Sequence, residues 1–185
     1  MATDGIWIFG YGSLIWNPEF PFEERCLADL SGYVRRFCMA SIHHRGSPSN
    51  PGLVLALDRA ASSSCRGMAF RIGQTNQEEH LNRLRERELV SSAYIETVQS
   101  VTLSDGRIVN ALCYVVDRDH EQYIPDQPLA AQAHQIARSV GGRGPNTEYL
   151  FQTVESLRRL GIEDPELEWL HDKVRQLEAA SGSAL

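Results

Sequence analysis

The order of strand-like and helix-like segments is the feature of this 185-residue chain that most constrains its fold. Segments rich in β-branched and aromatic residues fill the first two thirds, and apolar residues at helical spacing fill the last third. Strands followed by helices are typical of an α+β fold, since a parallel sheet would need the two to alternate. The sequence predicts a mostly antiparallel sheet, curled into a small barrel, with peripheral helices.

Six segments have the composition of strands and are bounded by turn-forming residues. The last two are joined by Asp105-Gly106, a strong hairpin signal, so we expect them to pair. The Ser-rich segment 58–64 is expected to connect the third strand to the fourth. The predicted strands are 7–9, 33–42, 53–57, 65–72, 95–103 and 108–116.

Helices are predicted at four places, each with a start signal. The second is expected to carry Val140 on its apolar face and to end at Gly141-Gly142, and Gly161 is expected to follow the third. The start signals are Thr75-Asn76 with Glu78 and Glu79 as capping-box partners, Pro128, Asn146 as a cap, and Asp164-Pro165. We predict one domain over residues 1–185, with a frayed tail after residue 178.

Composition narrows the class of partner. The formal net charge of −6 argues against a nucleic acid or an anionic membrane as the main partner, which leaves a small molecule. The chain starts without a basic, apolar leader, and no apolar run reaches the ~18 residues of a membrane span. We therefore expect a cytoplasmic protein.

No metal site is predicted. The four cysteines are too far apart in sequence for a metal-binding Cys-x-x-Cys pair, and we expect them to be free thiols. The adjacent His43 and His44 lie in an extended stretch, where neighbouring side chains point to opposite faces.

A glycine-rich loop follows the first strand. Gly10 and Gly12 flank Tyr11, so few side chains cover the backbone N–H groups of Tyr11 to Leu14, including that of Ser13. A ligand carboxylate or carbonyl oxygen could approach these amides directly. The alternative is an ordinary turn. A dinucleotide loop is excluded because Ile15 occupies the place of its third glycine.

A second loop, 43–52, is longer than most connections and rich in glycine and proline. It either connects two strands or faces a ligand, and Arg45 is its candidate ligand-binding charge.

Glu88 is the candidate catalytic carboxylate. In the first predicted helix it lies i+7 from Leu81 and i+4 from Leu84, so it shares their buried face, whereas Glu86 points away. Burial raises the pKa of a carboxyl group, which suits a general base near neutral pH. The alternative is a structural salt bridge with Arg85 or Arg87.

Taken together, these segments resemble the ChaC family of glutathione-specific γ-glutamylcyclotransferases, in the family's order and over nearly the whole chain. The matching segments are Phe9-Gly10-Tyr11-Gly12-Ser13-Leu14-Ile15-Trp16, His44-Arg45-Gly46-Ser47-Pro48 with Pro51-Gly52, Arg87-Glu88 followed by Tyr94, and Gly144-Pro145-Asn146 with Glu148-Tyr149-Leu150. The chain departs from the family at Ser92-Ala93, where members often have two glycines before Tyr94.

The resemblance implies a compact γ-glutamylcyclotransferase fold without a metal or organic cofactor. It implies that the amides of Gly10 to Leu14 hold the γ-glutamyl group and that Glu88 is the catalytic acid/base. Tyr149 either contacts the substrate or packs in the core. Arg36 and Arg45 either neutralise substrate carboxylates or are surface arginines.

Two alternatives to glutathione cleavage stay open. The enzyme could act on another γ-glutamyl amine or amino acid, since the sequence does not reveal the leaving-group pocket. The chain could also be a silent γ-glutamyl-binding protein, although the carboxylate at Glu88 argues against that.

Overall fold

The computed structural model describes residues 5–182, which form five barrel strands, a short hairpin and five helices. The strands are β1 Ile6–Gly10, β2 Glu24–Ser41, β3 Gly52–Ile72, β4 Tyr94–Leu103, β5 Ile108–Val116, β6 Val140–Gly141 and β7 Gly144–Pro145. The helices are α1 Ser13–Trp16, α2 Gln77–Glu88, α3 Leu129–Arg138, α4 Asn146–Arg159 and α5 Pro165–Gly182.

The described residues divide into two compact units, 5–36 with 56–121 and 37–55 with 122–182. Strands β2 and β3 each contribute residues to both units. The prediction of one domain over residues 1–185 stays a prediction.

The barrel is closed, with strand order β1-β3-β2-β4-β5. Strand β1 pairs antiparallel with β3 on one side and parallel with β5 on the other. Because β1 is covered on both edges and both faces, its residues from Trp7 to Gly10 are all buried. The predicted hairpin pairs from Tyr94↔Val116 to Thr102↔Ile108. The α+β prediction with a mostly antiparallel barrel is confirmed.

The second unit packs three helices around one apolar cluster. Ile136 of α3, Leu150 of α4 and Val174 of α5 are each 0% exposed. Asn146 ties this unit's strand segment to α4, since its side chain bonds both the N–H and the carbonyl oxygen of Leu53 at 2.7 Å. A buried polar side chain with two such bonds fixes the direction in which the helix starts.

The predicted connector at 58–64 is wrong, because β3 continues without a break from Gly52 to Ile72. Asp58 is fully buried within this strand. Its Oδ1 accepts a hydrogen bond from Arg118 Nε at 2.7 Å, and its Oδ2 lies 3.7 Å from Arg36 Nη1. An aspartate whose charge is paired can therefore occupy a strand position, even in a segment whose Ser-rich composition predicted a loop.

The predicted end of α3 is also wrong. The helix ends at Arg138, and Val140 belongs to β6 instead of the helical apolar face. A Cβ atom at Gly141 would lie 2.4 Å from the Gly46 nitrogen, so glycine allows the backbone to approach the 43–52 loop. The sequence does not show this close approach, which occurs in the extended segment after the helix.

Two predicted helix caps are not formed. Pro145 is the N-cap residue of α4, and Asn146 lies inside the helix. Asn76 is the N-cap residue of α2 but makes no capping side-chain bond, and Glu79 pairs with Arg83 at 2.7 Å. The predicted tail after residue 178 is helical as far as Gly182, and residues 183–185 lie outside the described residues. Between residues 5 and 182, no helix has the length and apolarity needed to cross a membrane.

We predict that Asp58→Asn lowers the free energy of unfolding by roughly 1 to 3 kcal/mol, because it leaves Arg118 and Arg36 without their buried counter-charge. Arg118 is half exposed, which keeps the loss below that of a fully buried pair. Urea unfolding measures the change. Asp29→Asn is the control, since Asp29 is 40% exposed in its pair with Arg66. Equal losses in both variants would contradict the prediction.

Candidate active site

The glycine loop begins at the end of β1, and hydrogen bonds within its own backbone stabilise it. The N–H of Ile15 donates to the Gly12 carbonyl at 3.0 Å, and that of Asn17 donates to the Ser13 carbonyl at 2.8 Å. The Tyr11 hydroxyl donates to the Tyr114 carbonyl of β5 at 3.0 Å. The loop is therefore anchored to the barrel through the side chain between its two glycines.

Two glycines allow the loop to lie directly on β3. A Cβ atom at Gly67 would be 2.4 Å from the Gly10 carbonyl oxygen and 2.8 Å from the Phe9 ring. A Cβ atom at Gly10 would be 3.2 Å from the ring of Phe70 on β3. Any side chain at Gly67 would push the loop away from the strand.

A buried arginine supports the loop from β2. Arg35 is 8% exposed, and its Nη1 donates to the Tyr11 carbonyl at 2.9 Å and to the Arg66 carbonyl at 3.0 Å. Its sequence neighbour Arg36 points to the other side of the strand and pairs with Asp58. The sequence indicated Arg36 but not Arg35, because the two residues are equally basic and differ only in which face of the strand each occupies.

Glu88 is the last residue of α2, and its side chain is 14% exposed. Glu86 is exposed, so the prediction that Glu88 is the more buried of the two is confirmed. Glu88 Oε1 lies 3.3 Å from Arg87 Nε. Arg85 turns instead to Glu96, which it contacts at 3.0 Å.

Arg87 joins the glycine loop to Glu88. Its side chain is 8% exposed, its Nη2 donates to Ser13 Oγ at 2.9 Å, and its Nη1 donates to the Asn17 carbonyl at 2.6 Å. The same guanidinium contacts Glu88 through Nε. A structural ion pair with Arg87 was the alternative to a catalytic role for Glu88. Because Arg87 also bonds Ser13, this ion pair holds the Glu88 carboxylate beside the glycine loop. The arginine preceding Glu88 was part of the family motif, but nothing in the sequence showed its contact with Ser13.

The turn between Glu88 and Tyr94 has a residue in the left-handed backbone region although it contains no glycine. Ser92 has φ +56°, in the left-handed region, and its N–H donates to the Leu89 carbonyl at 3.1 Å. Ala93 is fully buried, and its carbonyl accepts from the Asp117 N–H at 2.9 Å. The departure at Ser92-Ala93 is therefore accommodated at the cost of local strain.

A second polar cluster lies on β4 and β5. Arg85 forms a two-pronged contact with Glu96, through Nε to Oε2 at 3.0 Å and Nη2 to Oε1 at 3.1 Å. The Tyr114 hydroxyl donates to Glu96 Oε2 at 2.9 Å. The hydrogen bond from Arg85 lowers the pKa of Glu96, against the effect of burial. Burial raises the pKa of Tyr114, as do the negative charges of Glu96 and Glu88, so its hydroxyl remains a neutral donor.

Arg45 and Tyr149 lie together in the second unit. Arg45 is buried rather than at the surface, and its Nη1 contacts the Pro145 carbonyl and Glu148 Oε2, both at 3.1 Å. Its Cζ lies 5.8 Å from the centre of the Tyr149 ring. The Tyr149 hydroxyl accepts from the Leu55 N–H at 3.2 Å. These contacts are structural, and the predicted substrate-binding roles of both residues stay predictions.

The predicted site residues therefore fall into two groups. Within the first unit, Arg87 joins the glycine loop to Glu88, and within the second, Arg45 contacts Tyr149. The predicted loop residues are Gly10, Tyr11, Gly12, Ser13 and Leu14. In the part of the chain from 5 to 182, no three His, Cys, Asp or Glu side chains are grouped to hold a metal ion.

Comparison with known proteins decides the family. Residues 6–177, which include both the glycine loop and Glu88, match the sequence model of the family described as ChaC-like protein. The chain belongs to the ChaC-like family. The resemblance inferred from the sequence motifs is thereby confirmed.

Named relatives of this ChaC-like chain cover most of its length. The Escherichia coli (strain K12) protein named glutathione-specific gamma-glutamylcyclotransferase is 37% identical over 172 residues, 93% of this chain and 74% of the relative. The Arabidopsis thaliana protein named gamma-glutamylcyclotransferase 2-3 is 33% identical over 180 residues, 93% of this chain and 89% of the relative.

A crystal structure of a glutathione-specific γ-glutamyl cyclotransferase from yeast has the same fold. It superposes with a TM-score of 0.85 at 24% identity, covering 94% of this chain and 97% of the yeast chain. The γ-glutamylcyclotransferase-like fold predicted from the resemblance is confirmed.

We predict that Glu96→Gln destabilises the protein in a pH-dependent way. The folded state lowers the pKa of Glu96, so its contribution to stability is present above the unfolded pKa of roughly 4.3 and is lost as pH falls through the lower folded pKa. The difference in unfolding free energy between wild type and variant should be large at pH 7 and shrink below about pH 4. Urea unfolding from pH 3 to 7 tests this, with the exposed Glu86→Gln as control. A difference that grows on acidification would contradict it.

Proposed function

We propose that this chain is a γ-glutamylcyclotransferase, a carbon–nitrogen lyase that cleaves glutathione into 5-oxoproline and cysteinylglycine. The observation that carries the proposal is the Arg87 guanidinium, which holds Ser13 of the glycine loop and the Glu88 carboxylate beside each other in a chain of the ChaC-like family. Relatives named for glutathione-specific γ-glutamylcyclotransferase activity support glutathione as the substrate.

Glu88 acts as the general acid/base in this proposal. The α-amino group of a γ-glutamyl compound is mostly protonated at neutral pH, so a proton must leave before its nitrogen can attack. Glu88 accepts that proton, and the nitrogen attacks the substrate's own γ-carbonyl carbon to close a five-membered ring. The bond from this carbon to the cysteine nitrogen then breaks, and Glu88 returns the proton to the departing amine. The attacking amine belongs to the substrate, so the reaction needs neither an enzyme nucleophile nor an organic cofactor.

The glycine loop positions the γ-glutamyl group for ring closure. Its N–H groups between Gly10 and Leu14 are the proposed donors. Arg87 holds the loop through the Ser13 hydroxyl and the Asn17 carbonyl, and the Tyr11 hydroxyl holds it to the Tyr114 carbonyl. A fixed set of donors holds the substrate folded, with its amine against its γ-carbonyl, and so removes much of the entropic barrier to cyclisation.

Arg45 and Tyr149 remain proposed substrate-binding residues. Each already has a partner within its own unit, so their substitution should lower stability as well as affinity for substrate. A cytoplasmic location belongs to the same proposal. So does a small-molecule rather than a nucleic-acid partner, which the net charge of −6 favours.

The proposed activity is tested by mass spectrometry of 5-oxoproline released by purified protein. Glutathione and a γ-glutamyl-amino acid are supplied in parallel reactions without added metal. Release from glutathione alone, together with cysteinylglycine, is the expected result. Release from the γ-glutamyl-amino acid alone would indicate a different leaving group. Thermal stabilisation by glutathione without release would indicate a silent binding protein.

We predict that Glu88→Gln lowers kcat by roughly 10²- to 10⁴-fold, because the amide keeps the side chain's shape but cannot transfer the proton. Glu86→Gln, on the exposed face of the same helix, should be nearly neutral. Steady-state kinetics with glutathione measure both variants, and circular dichroism verifies their folding. Equal losses of activity in the two variants would contradict the assignment of Glu88.

A further inference from the structure

The glycine loop rests on a charged side chain that the proposed chemistry does not use. Arg35 Nη1 has two N–H bonds and two near acceptors, the Tyr11 carbonyl at 2.9 Å and the Arg66 carbonyl at 3.0 Å, with the Cys65 sulfur further away at 3.9 Å. The side chain is almost wholly removed from solvent, with the residue 8% exposed. Hydrogen bonds from a buried guanidinium are among the stronger ones in a protein.

This contact fixes the direction of one peptide group in the loop. In a planar trans peptide the carbonyl and the following N–H point in opposite directions. Because Arg35 holds the Tyr11 carbonyl, the N–H of Gly12 points away from Arg35. Rotation of this peptide would remove one acceptor from a buried guanidinium, which is costly.

We propose that Arg35 is a positioning residue, which holds the Tyr11–Gly12 peptide so that the Gly12 N–H donates to an oxygen of the γ-glutamyl group. The inference rests on the proposed function, in which the loop amides bind that group. The close approach at Gly67 supports it, since β3 supplies the second acceptor for Arg35 at the place where the loop lies on this strand.

The test compares Arg35→Lys with a matched surface change. Lysine keeps the charge but ends one bond earlier, so it cannot reproduce the contacts of Nη1 with both carbonyls. We expect KM for glutathione to rise about tenfold, with a smaller change in kcat, and to rise further in Arg35→Met. Arg66→Lys is the control and should leave KM unchanged, because the Arg66 side chain is 47% exposed and only its backbone carbonyl contacts Arg35.

A purely structural role for Arg35 gives a different result. KM does not depend on the amount of folded enzyme, so a structural role would lower Tm and yield but leave KM at the wild-type value. That outcome in Arg35→Lys would overturn the inference.

Direct binding separates this inference from the proposed function. Glutathione is titrated calorimetrically into Glu88→Gln and into Glu88→Gln/Arg35→Lys, neither of which should consume it. We expect about tenfold weaker binding in the double variant, and equal Kd values would overturn the role of Arg35. Absence of turnover in the wild-type protein would overturn the proposed function, while the Kd comparison would still decide the role of Arg35.

Discussion

The burial of β1 between β3 and β5 is the constraint on which the rest of the first unit depends. A strand paired on both edges and buried on both faces cannot slide by one residue, because each side chain would turn to the opposite face and enter a space packed around a different side chain. Phe9 lies opposite Ala69, and its ring lies against Gly67, where a Cβ atom would be 2.8 Å from the ring. The end of β1, and with it the glycine loop, is therefore fixed by the core.

Two buried arginines then contact the glycine loop that follows this strand. Arg35 reaches the loop backbone from β2, and Arg87 reaches Ser13 and Glu88 from α2. The planar guanidinium has several donors in fixed directions, so one side chain can orient several groups at once. A lysine, with one compact ammonium group, would not link the loop and Glu88 in the same way. The polar contacts in this unit thus set orientation, while apolar packing supplies most of the stability.

Local signals predicted several elements because they depend on neighbours in sequence. Asp105-Gly106 indicated the hairpin, and the helical spacing from Leu81 to Glu88 indicated which face of α2 is buried. Predictions failed where distant contacts override local preference. Asp58 is compatible with a strand only because Arg118 and Arg36 neutralise it. Asn146 does not cap its own helix because its amide bonds Leu53, 93 residues earlier.

The sequence by itself determined the α+β class, the ChaC-like motifs, the glycine loop and the greater burial of Glu88 than of Glu86. Each of these follows from residue type and short-range spacing, which the printed sequence shows directly. Only the tertiary structure decided that Arg35 rather than Arg36 supports the loop, that Arg87 joins Ser13 to Glu88, and that Arg45 is buried against Tyr149. The physical reason is that a side chain's partner depends on which strand or helix lies opposite it, and that is set by packing between segments far apart in the chain.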